Sequence, residues 1–224
     1  MRKVFAGVLI VIGILLLLSP TIKDFFVVKK IDETVKVVEE YTPEVIKKNE
    51  TNEAEFDFSI VEDISVTGTL INQNKVNMDL IVGQLVVPSI NLNIPVFKGI
   101  NNTNLLAGSA TMREDQTMGQ GNYPLAGHYV KDKDVLFGSL MDVKEGDIIR
   151  LTDKETIFEY ETYEVKLVPD TAVYLIDNQE SENIGNPIIS LMTCYYSSKT
   201  GKRYFVMGEL KESYAYTQEA LYAK

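Results

Sequence analysis

The chain begins with an apolar segment. Arg2 and Lys3 precede residues 4–22, which contain only glycines and a weakly polar Ser-Pro-Thr as interruptions. At about 1.5 Å per helical residue, this run nearly spans a hydrocarbon core about 30 Å thick. A cleavable signal peptide is the alternative, but the residues that follow fit a small-x-small cleavage site poorly. We therefore predict an N-terminal transmembrane helix in residues 1–22, which makes this a single-pass protein of the cell membrane. The positive-inside rule places the N-terminus in the cytoplasm and the rest of the chain outside.

Residues 23–78 have a different composition. Charged residues are dense here, and valines and isoleucines between 31 and 46 are spaced for a short amphipathic helix that ends before Pro43. This pattern predicts an extracellular stalk or linker with some helix. The alternative is that the segment packs as an extra helix on the following domain.

From residue 79 onward, apolar and polar residues alternate over short runs separated by turn residues. This pattern is typical of strands, and a helical turn at 102–106 and a short helix at 137–143 interrupt them. Many short strands with few helices indicate a closed or half-closed β-barrel in residues 79–214, followed by a C-terminal tail in 215–224. We predict strands at residues 81–87, 92–96, 123–130, 148–152, 156–169, 172–176, 188–194 and 203–210.

Composition agrees with this fold and excludes one class of partner. The chain has 12 tyrosines, 9 phenylalanines and no tryptophan, and aromatic side chains suit a pleated surface. Its net charge is −10. Nucleic acid is therefore not an expected partner, because phosphate binding requires a basic face.

The single cysteine, Cys194, lies at the end of the predicted strand 188–194. One cysteine in an exported domain forms no intramolecular disulfide. Free cysteines often behave as small buried hydrophobic residues, whereas strand ends that face loops often carry reactive groups. Position alone leaves both interpretations open.

His128 and Arg203 bear on that choice. A thiol with a pKa of about 8.5 is only a few per cent thiolate at neutral pH, so a cysteine nucleophile needs an imidazole partner. His128 is the only histidine in the chain. Arg203 begins a strand that we expect to pair beside the Cys194 strand, where a guanidinium can donate hydrogen bonds to an oxyanion. Pattern alone favours the alternative, a surface arginine beside Lys202.

Three segments of the sequence resemble the signature blocks of the sortase family, in the family's order. They are Leu125-Ala126-Gly127-His128, Leu191-Met192-Thr193-Cys194 and the run from Lys202 to Leu210. Residues 104–123 and 144–153 are also similar to class A sortases. The resemblance extends from about residue 81 to residue 210.

This resemblance implies a mainly β fold, an eight-stranded sortase-type β-barrel with short helices, preceded by the N-terminal transmembrane helix. Class A sortases are housekeeping transpeptidases on the outer face of the Gram-positive membrane. They cut a Leu-Pro-x-Thr-Gly (LPXTG) sorting signal between Thr and Gly and pass the thioacyl group to an amine of lipid II. The implied partners are thus LPXTG-bearing surface proteins, the lipid II amine and, through residues 4–22, the membrane.

Matching positions carry the family's roles onto this chain. The resemblance implies that Cys194 is the nucleophile and that His128 is the general acid and later the base. It implies that Arg203 holds the substrate and stabilises the oxyanion. Thr193 matches a position implicated in oxyanion stabilisation, and Ala126 matches one that lines the substrate groove.

The chain also departs from the family pattern. Tyr195 and Tyr196 follow Cys194 where an aspartate is common, and Tyr129 follows His128 where a second histidine is often found. Some relatives are activated by calcium, but Glu114 and Asp115 are a weak match to a site that needs six or more oxygens. We expect no metal and no cofactor, with calcium activation as the alternative.

Other functions stay open at this stage. A pilus-polymerising sortase uses a pilin lysine as its nucleophile and usually carries an N-terminal lid and a second membrane segment near the C-terminus. The short polar residues 213–224 argue against it. A noncatalytic β-barrel binding module and a cysteine peptidase that only hydrolyses are alternatives from other classes.

Overall fold

The computed structural model describes residues 2–56 and 76–223. Within them, eight strands form one closed barrel in the order β1-β2-β3-β4-β7-β8-β6-β5. The strands are β1 Ile81–Val87, β2 Leu92–Phe97, β3 Ser109–Thr111, β4 Asn122–Ala126, β5 Ile148–Thr152, β6 Thr156–Pro169, β7 Ile188–Cys194 and β8 Lys202–Ala215. The predicted mainly β, eight-stranded barrel is confirmed.

Helices precede, connect and follow the strands. The α-helices are α1 Arg2–Glu40, α2 Pro43–Glu50, α3 Asn102–Leu105, α4 Gln179–Ile184 and α5 Gln218–Tyr222. Short 3-10 helices cover Met78–Leu80, Pro88–Ile90, Leu140–Asp142, Val173–Ile176 and Ser198–Thr200. Among the described helices, none has the length and apolar character needed to cross a membrane. The membrane anchor at residues 1–22 stays a prediction.

The second half of α1 and all of α2 lie against the barrel. Val38 of α1 and Ile46 of α2 are fully buried in one apolar cluster with Ile81 and Phe97 of the first two strands. Pro43 begins α2, a position where its missing N–H leaves no helical bond unmade. Of the predicted stalk in residues 23–78, the described part therefore contacts the barrel from Val27 onward, and residues 57–75 lie outside the described residues. The limits predicted at residues 22, 78 and 214 stay predictions.

The buried position of Ile46 makes the docking of α2 testable. Replacing Ile46 by alanine removes three buried carbons and leaves a cavity, so we expect the free energy of unfolding to fall by about 2 to 5 kcal/mol. The control is Lys48→Ala, because Lys48 is exposed on the same helix and should change stability by about 0.5 kcal/mol or less. Urea denaturation measures both. Equal stability of the two variants would show that α2 does not dock on the barrel in solution.

The connection from β6 to β7 differs from the sequence prediction. The predicted strand 172–176 is wrong, because a 3-10 helix, Val173–Ile176, occupies that position. Leu175 inserts into an apolar cluster on the outside of the barrel, whereas Val173 and Tyr174 stay exposed. The apolar run that predicted a strand is thus explained by the buried Leu175 and the partly buried Ile176, which anchor a connection that crosses the outer face.

The strand before His128 is shorter than predicted. β4 ends at Ala126 instead of residue 130. A side chain at Gly127 is disfavoured, because a Cβ there would clash with the ring of Phe137. The Phe137 amide donates to the His128 carbonyl at 3.2 Å. The chain therefore leaves the barrel wall at Gly127, and His128 begins a loop packed over Phe137.

β7 and the part of β8 at residues 205–208 are buried on both faces. Ile189, Leu191 and Val206 belong to the barrel interior. Ile188 and Phe205 face outward and are covered by Leu175 of the β6–β7 connection. Because side chains alternate along a strand, the even-numbered residues of β7, down to Cys194, face the outer surface under this connection.

Candidate active site

Cys194 and His128 come to the same edge of the barrel because their strands are parallel. β4 and β7 pair in parallel register from Asn122 opposite Ile188 to Ala126 opposite Met192. Cys194 is the last residue of β7, and His128 follows the end of β4 at the matching distance. His128 is only 7% exposed, and Cys194 is partly buried. The register thus brings Cys194 and His128 to the same edge of the barrel from distant parts of the sequence.

Arg203 lies directly across from Cys194 on the neighbouring strand. β7 and β8 are antiparallel, and Cys194 is the register partner of Arg203. Directly opposed residues of an antiparallel pair project to the same face. The Arg203 guanidinium lies 3.9 Å from the Asp170 carboxylate and donates to the Lys202 carbonyl at 3.2 Å. Its side chain is 22% exposed, so these contacts hold the guanidinium while part of the side chain stays open to solvent.

Ala126 lies on the same outer face, one register step behind the thiol. Its parallel partner is Met192, two residues before Cys194. Ile176, from the β6–β7 connection, packs in the same apolar cluster as Ala126 and Met192. Ala126 and Met192 therefore form an apolar surface, called the apolar floor below, next to Cys194 on the outer wall of the barrel. The β6–β7 connection lies over it.

Thr193 points to the other side of β7. It is fully buried, and its Oγ1 donates to the Gly127 carbonyl at 2.8 Å. The Gly127 amide in turn donates to the Met192 carbonyl at 3.0 Å. These two bonds extend the pairing of β4 and β7 beyond its last register pair, and they fix the residue before each of Cys194 and His128. In this structure the Thr193 hydroxyl holds the backbone of the site.

Comparison with known proteins agrees with this geometry. A family model described as a sortase domain matches residues 85–211. The chain belongs to the sortase family. Sortase A of Listeria monocytogenes is 42% identical to it over 219 residues, covering 98% of this chain and 96% of that protein. Sortase A of Streptococcus agalactiae is 31% identical over 217 residues, covering 95% of this chain and 85% of that protein.

A solved structure supports the same assignment. The crystal structure of Listeria monocytogenes sortase A matches with a TM-score of 0.58 and 43% identity, covering 65% of this chain and 99% of that chain. These relatives place the chain among the class A members, as a sortase A-type transpeptidase. The resemblance seen in the three sequence blocks is confirmed.

The Thr193 hydroxyl offers a test of how this sortase holds its two site strands. Thr193→Val keeps the shape of the side chain but leaves the buried Gly127 carbonyl without its donor, so the free energy of unfolding should fall by about 1 to 3 kcal/mol. Thr193→Ser keeps the hydroxyl and should retain the hydrogen bond. Thermal and urea unfolding of the two variants provide the comparison. A valine variant as stable as the serine variant would exclude a structural role for the hydroxyl.

Arg113 is a residue near the site that the sequence did not reveal. It lies in the β3–β4 loop, and its Nη1 donates to the Ile176 carbonyl and to Asn178 Oδ1, each at 3.0 Å. Its Nε donates to Asp115 at 3.0 Å. Its side chain is mostly buried. Arg113 therefore ties the β3–β4 loop of this sortase to the connection that covers the outer face.

Asn122 holds the same connection from beneath. Its Nδ2 donates to the carbonyls of Leu175 and Asp177 at 2.9 and 3.0 Å, and its Oδ1 accepts from Ser190 of β7 at 2.9 Å. The only sequence signal for this network was the similarity of residues 118–123 to class A sortases. Arg113 and Asn122 together fix the position of the β6–β7 connection over Ala126 on the outer wall of the barrel.

The carboxylates considered for calcium have other neighbours. Asp115 accepts from Arg113, as described, and Glu114 lines a cavity of about 150 Å³ together with Glu50, Lys98 and Arg113. Among the described residues, no group of three or more His, Cys, Asp or Glu side chains is arranged to hold a metal ion. Calcium activation stays a prediction.

Proposed function

We propose that this sortase anchors surface proteins by cutting an LPXTG-type sorting signal between Thr and Gly and joining the new acyl end to an amine of lipid II. The observation that carries the proposal is the register of β4, β7 and β8, which brings His128, Cys194 and Arg203 to one edge of the barrel. A thiol, a proton carrier and a fixed guanidinium are the groups that acyl transfer through a thioester requires.

Acylation uses all three side chains. The Cys194 sulfur, as a thiolate, attacks the threonine carbonyl carbon of the signal, and the carbonyl oxygen takes the negative charge. The Arg203 guanidinium donates to that oxyanion and to the substrate backbone, since Arg203 lies opposite Cys194 on the neighbouring strand. When the C–N bond breaks, His128 gives its proton to the leaving glycine amine. The product is a thioester between Cys194 and the threonine acyl group.

The second half of the reaction reverses the direction of proton transfer. The incoming amine of the cell-wall precursor attacks the thioester carbon, and His128 accepts the proton that this amine loses. The C–S bond breaks, a new amide bond forms, and Cys194 leaves as a thiolate. A thioester keeps the acyl group reactive toward an amine, so the energy of the original peptide bond is conserved in the new one.

Ala126 and the N-terminal segment complete the proposal. Ala126 and Met192 supply the apolar floor for the residues that precede the scissile bond, beneath the β6–β7 connection. The apolar residues 4–22 anchor the chain in the cell membrane, with the N-terminus in the cytoplasm and the barrel outside. The support is the length and composition of this run and the two basic residues before it. Tethering confines the enzyme and its membrane-borne substrates to one surface and raises their effective concentration.

The test uses the full-length chain in mild detergent, a fluorogenic Leu-Pro-x-Thr-Gly peptide and triglycine as the amine. We expect cleavage between Thr and Gly, an enzyme species heavier by the Leu-Pro-x-Thr acyl group, and a product joined to triglycine. Steady-state rates should follow ping-pong kinetics, because the glycine product leaves before the amine reacts.

Other outcomes separate the competing functions. Cleavage at a rate that triglycine does not change, with only hydrolysed product, would indicate a cysteine peptidase. Peptide binding without cleavage would indicate a binding module. Either result would overturn the proposal, whereas an acyl-enzyme that prefers a lysine side chain to triglycine would favour pilus polymerisation.

A further inference from the structure

Two tyrosine rings meet directly beyond the proposed catalytic pair. Tyr129 follows His128, and Tyr196 lies two residues after Cys194. Their ring centroids are 5.5 Å apart at an interplanar angle of 85°, an edge-to-face contact. Tyr195 packs on Tyr196 with centroids 4.4 Å apart. This contact therefore links the loop that carries the imidazole to the loop that follows the thiol.

The conformation of Tyr196 is not explained by burial. Its backbone is left-handed, with φ at +61°, and its side chain is 58% exposed. A left-handed conformation is unfavourable for a residue with a bulky side chain, and an exposed ring regains little stability through burial. Such outliers concentrate at functional sites, where the surrounding structure imposes them.

The hairpin around Tyr196 imposes its direction. The Tyr195 amide donates to the Lys202 carbonyl at 3.1 Å, which continues the β7–β8 ladder, and the Thr200 hydroxyl donates to the Tyr195 carbonyl at 3.0 Å. Tyr195 is thus fixed as the last paired residue. The left-handed turn at the next position then directs the Tyr196 ring toward Tyr129 instead of continuing along the strand.

Contacts consequently bracket the catalytic pair on two sides. On the barrel side, the Thr193 hydroxyl and the Gly127 amide join the two strands. On the loop side, the rings of Tyr129 and Tyr196 join the two loops. Cys194 and His128 occupy the interval between these contacts. Proton transfer and attack depend steeply on distance, so a pair held on both sides keeps the reactive geometry for a larger share of the time.

We propose that Tyr129 and Tyr196 are positioning residues that set the separation of the Cys194 thiol and the His128 imidazole through their edge-to-face contact. The inference rests on the proposed function, because it assumes that these two groups react together. The contact acts on the chemical step. Its loss should lower kcat and leave the KM of the peptide nearly unchanged.

A double-mutant cycle in the full-length chain tests this proposal. Tyr196→Asn removes the ring, and asparagine tolerates the left-handed backbone; Tyr129→Ala removes the other ring. Each variant should lower kcat for transpeptidation about 2- to 10-fold, the rate equivalent of one aromatic pair. The double variant should be no slower than the slower single variant, because the first substitution already breaks the contact.

Matched variants control for other effects. Tyr196→Phe keeps the ring and should retain the wild-type kcat. Lys199→Ala changes an exposed residue of the same hairpin loop and should also retain the wild-type kcat. The melting temperature should be similar in all of them. Fold-losses that multiply in the double variant would overturn the proposal, as would a loss confined to the KM of the amine, which would instead make the rings an acceptor-binding surface. A wild-type chain that forms no acyl-enzyme is a separate result, since it rejects the proposed function itself.

Discussion

Replacing Cys194 by alanine should reduce transpeptidation by about 10⁴-fold or more, to the limit of detection, because no other side chain at this edge of the barrel can form the thioester. The acyl-enzyme should disappear from the mass spectrum together with the activity. Peptide cleavage and amine joining should fall equally, since both steps pass through the same intermediate. The measurement is product formation from the fluorogenic peptide, with and without triglycine.

Peptide binding is the control for the Cys194→Ala variant. The thiol lies at the end of β7 and contributes little to the apolar floor, so the alanine variant should keep its melting temperature and still bind the peptide by fluorescence anisotropy. Turnover in this variant equal to that of the wild type would remove Cys194 from the mechanism and with it the thioester.

Replacing His128 by alanine should lower kcat by about 10² to 10⁴-fold, the range associated with loss of a general acid–base group. The leaving glycine amine then departs without a proton, and the incoming amine has no acceptor. Acylation and transfer should both slow, so a single-turnover measurement of acyl-enzyme formation should show the defect as clearly as the steady state does.

The histidine variant has its own control. His128→Gly leaves space beside the thiol, so added imidazole should recover part of the activity in a concentration-dependent way. His128 is nearly buried, and a stability measurement must accompany the rates. A folded His128→Ala chain with wild-type kcat would show that another group carries the proton.

Much of the barrel could be predicted from local sequence. β1, β2, β5 and β7 have turn residues next to them and are mostly apolar, so pattern and outcome agree within a residue or so at each end. β3 has three residues, too few to show a period. The strand predicted at residues 172–176 was wrong because Leu175 and Ile176 anchor a segment whose Val173 and Tyr174 are exposed. This anchoring depends on the side chains of β7 and β8 beneath the segment.

The site was accessible to sequence only in part. Cys194, His128 and Arg203 could be singled out as rare or well-placed residues, and their order matches the sortase blocks. The Arg113 bonds and the contact of Tyr129 with Tyr196 could not be predicted, because each joins loops that are distant along the chain. Such contacts depend on which strands become neighbours. The parallel pairing of β4 with β7 cannot be predicted from the sequence of either strand alone.

That pairing has a consequence for when the enzyme becomes active. The two halves of the bond between Thr193 and Gly127 are 66 residues apart in the chain, and β5, β6 and their connections lie between them. Closing so long a loop is entropically unfavourable until neighbouring strands compensate. An unfolded chain therefore carries an ordinary cysteine, remote from the imidazole. The reactive pair forms only once β4 and β7 have paired, so molecules in which these strands are still apart have no acyl-transfer chemistry to misdirect.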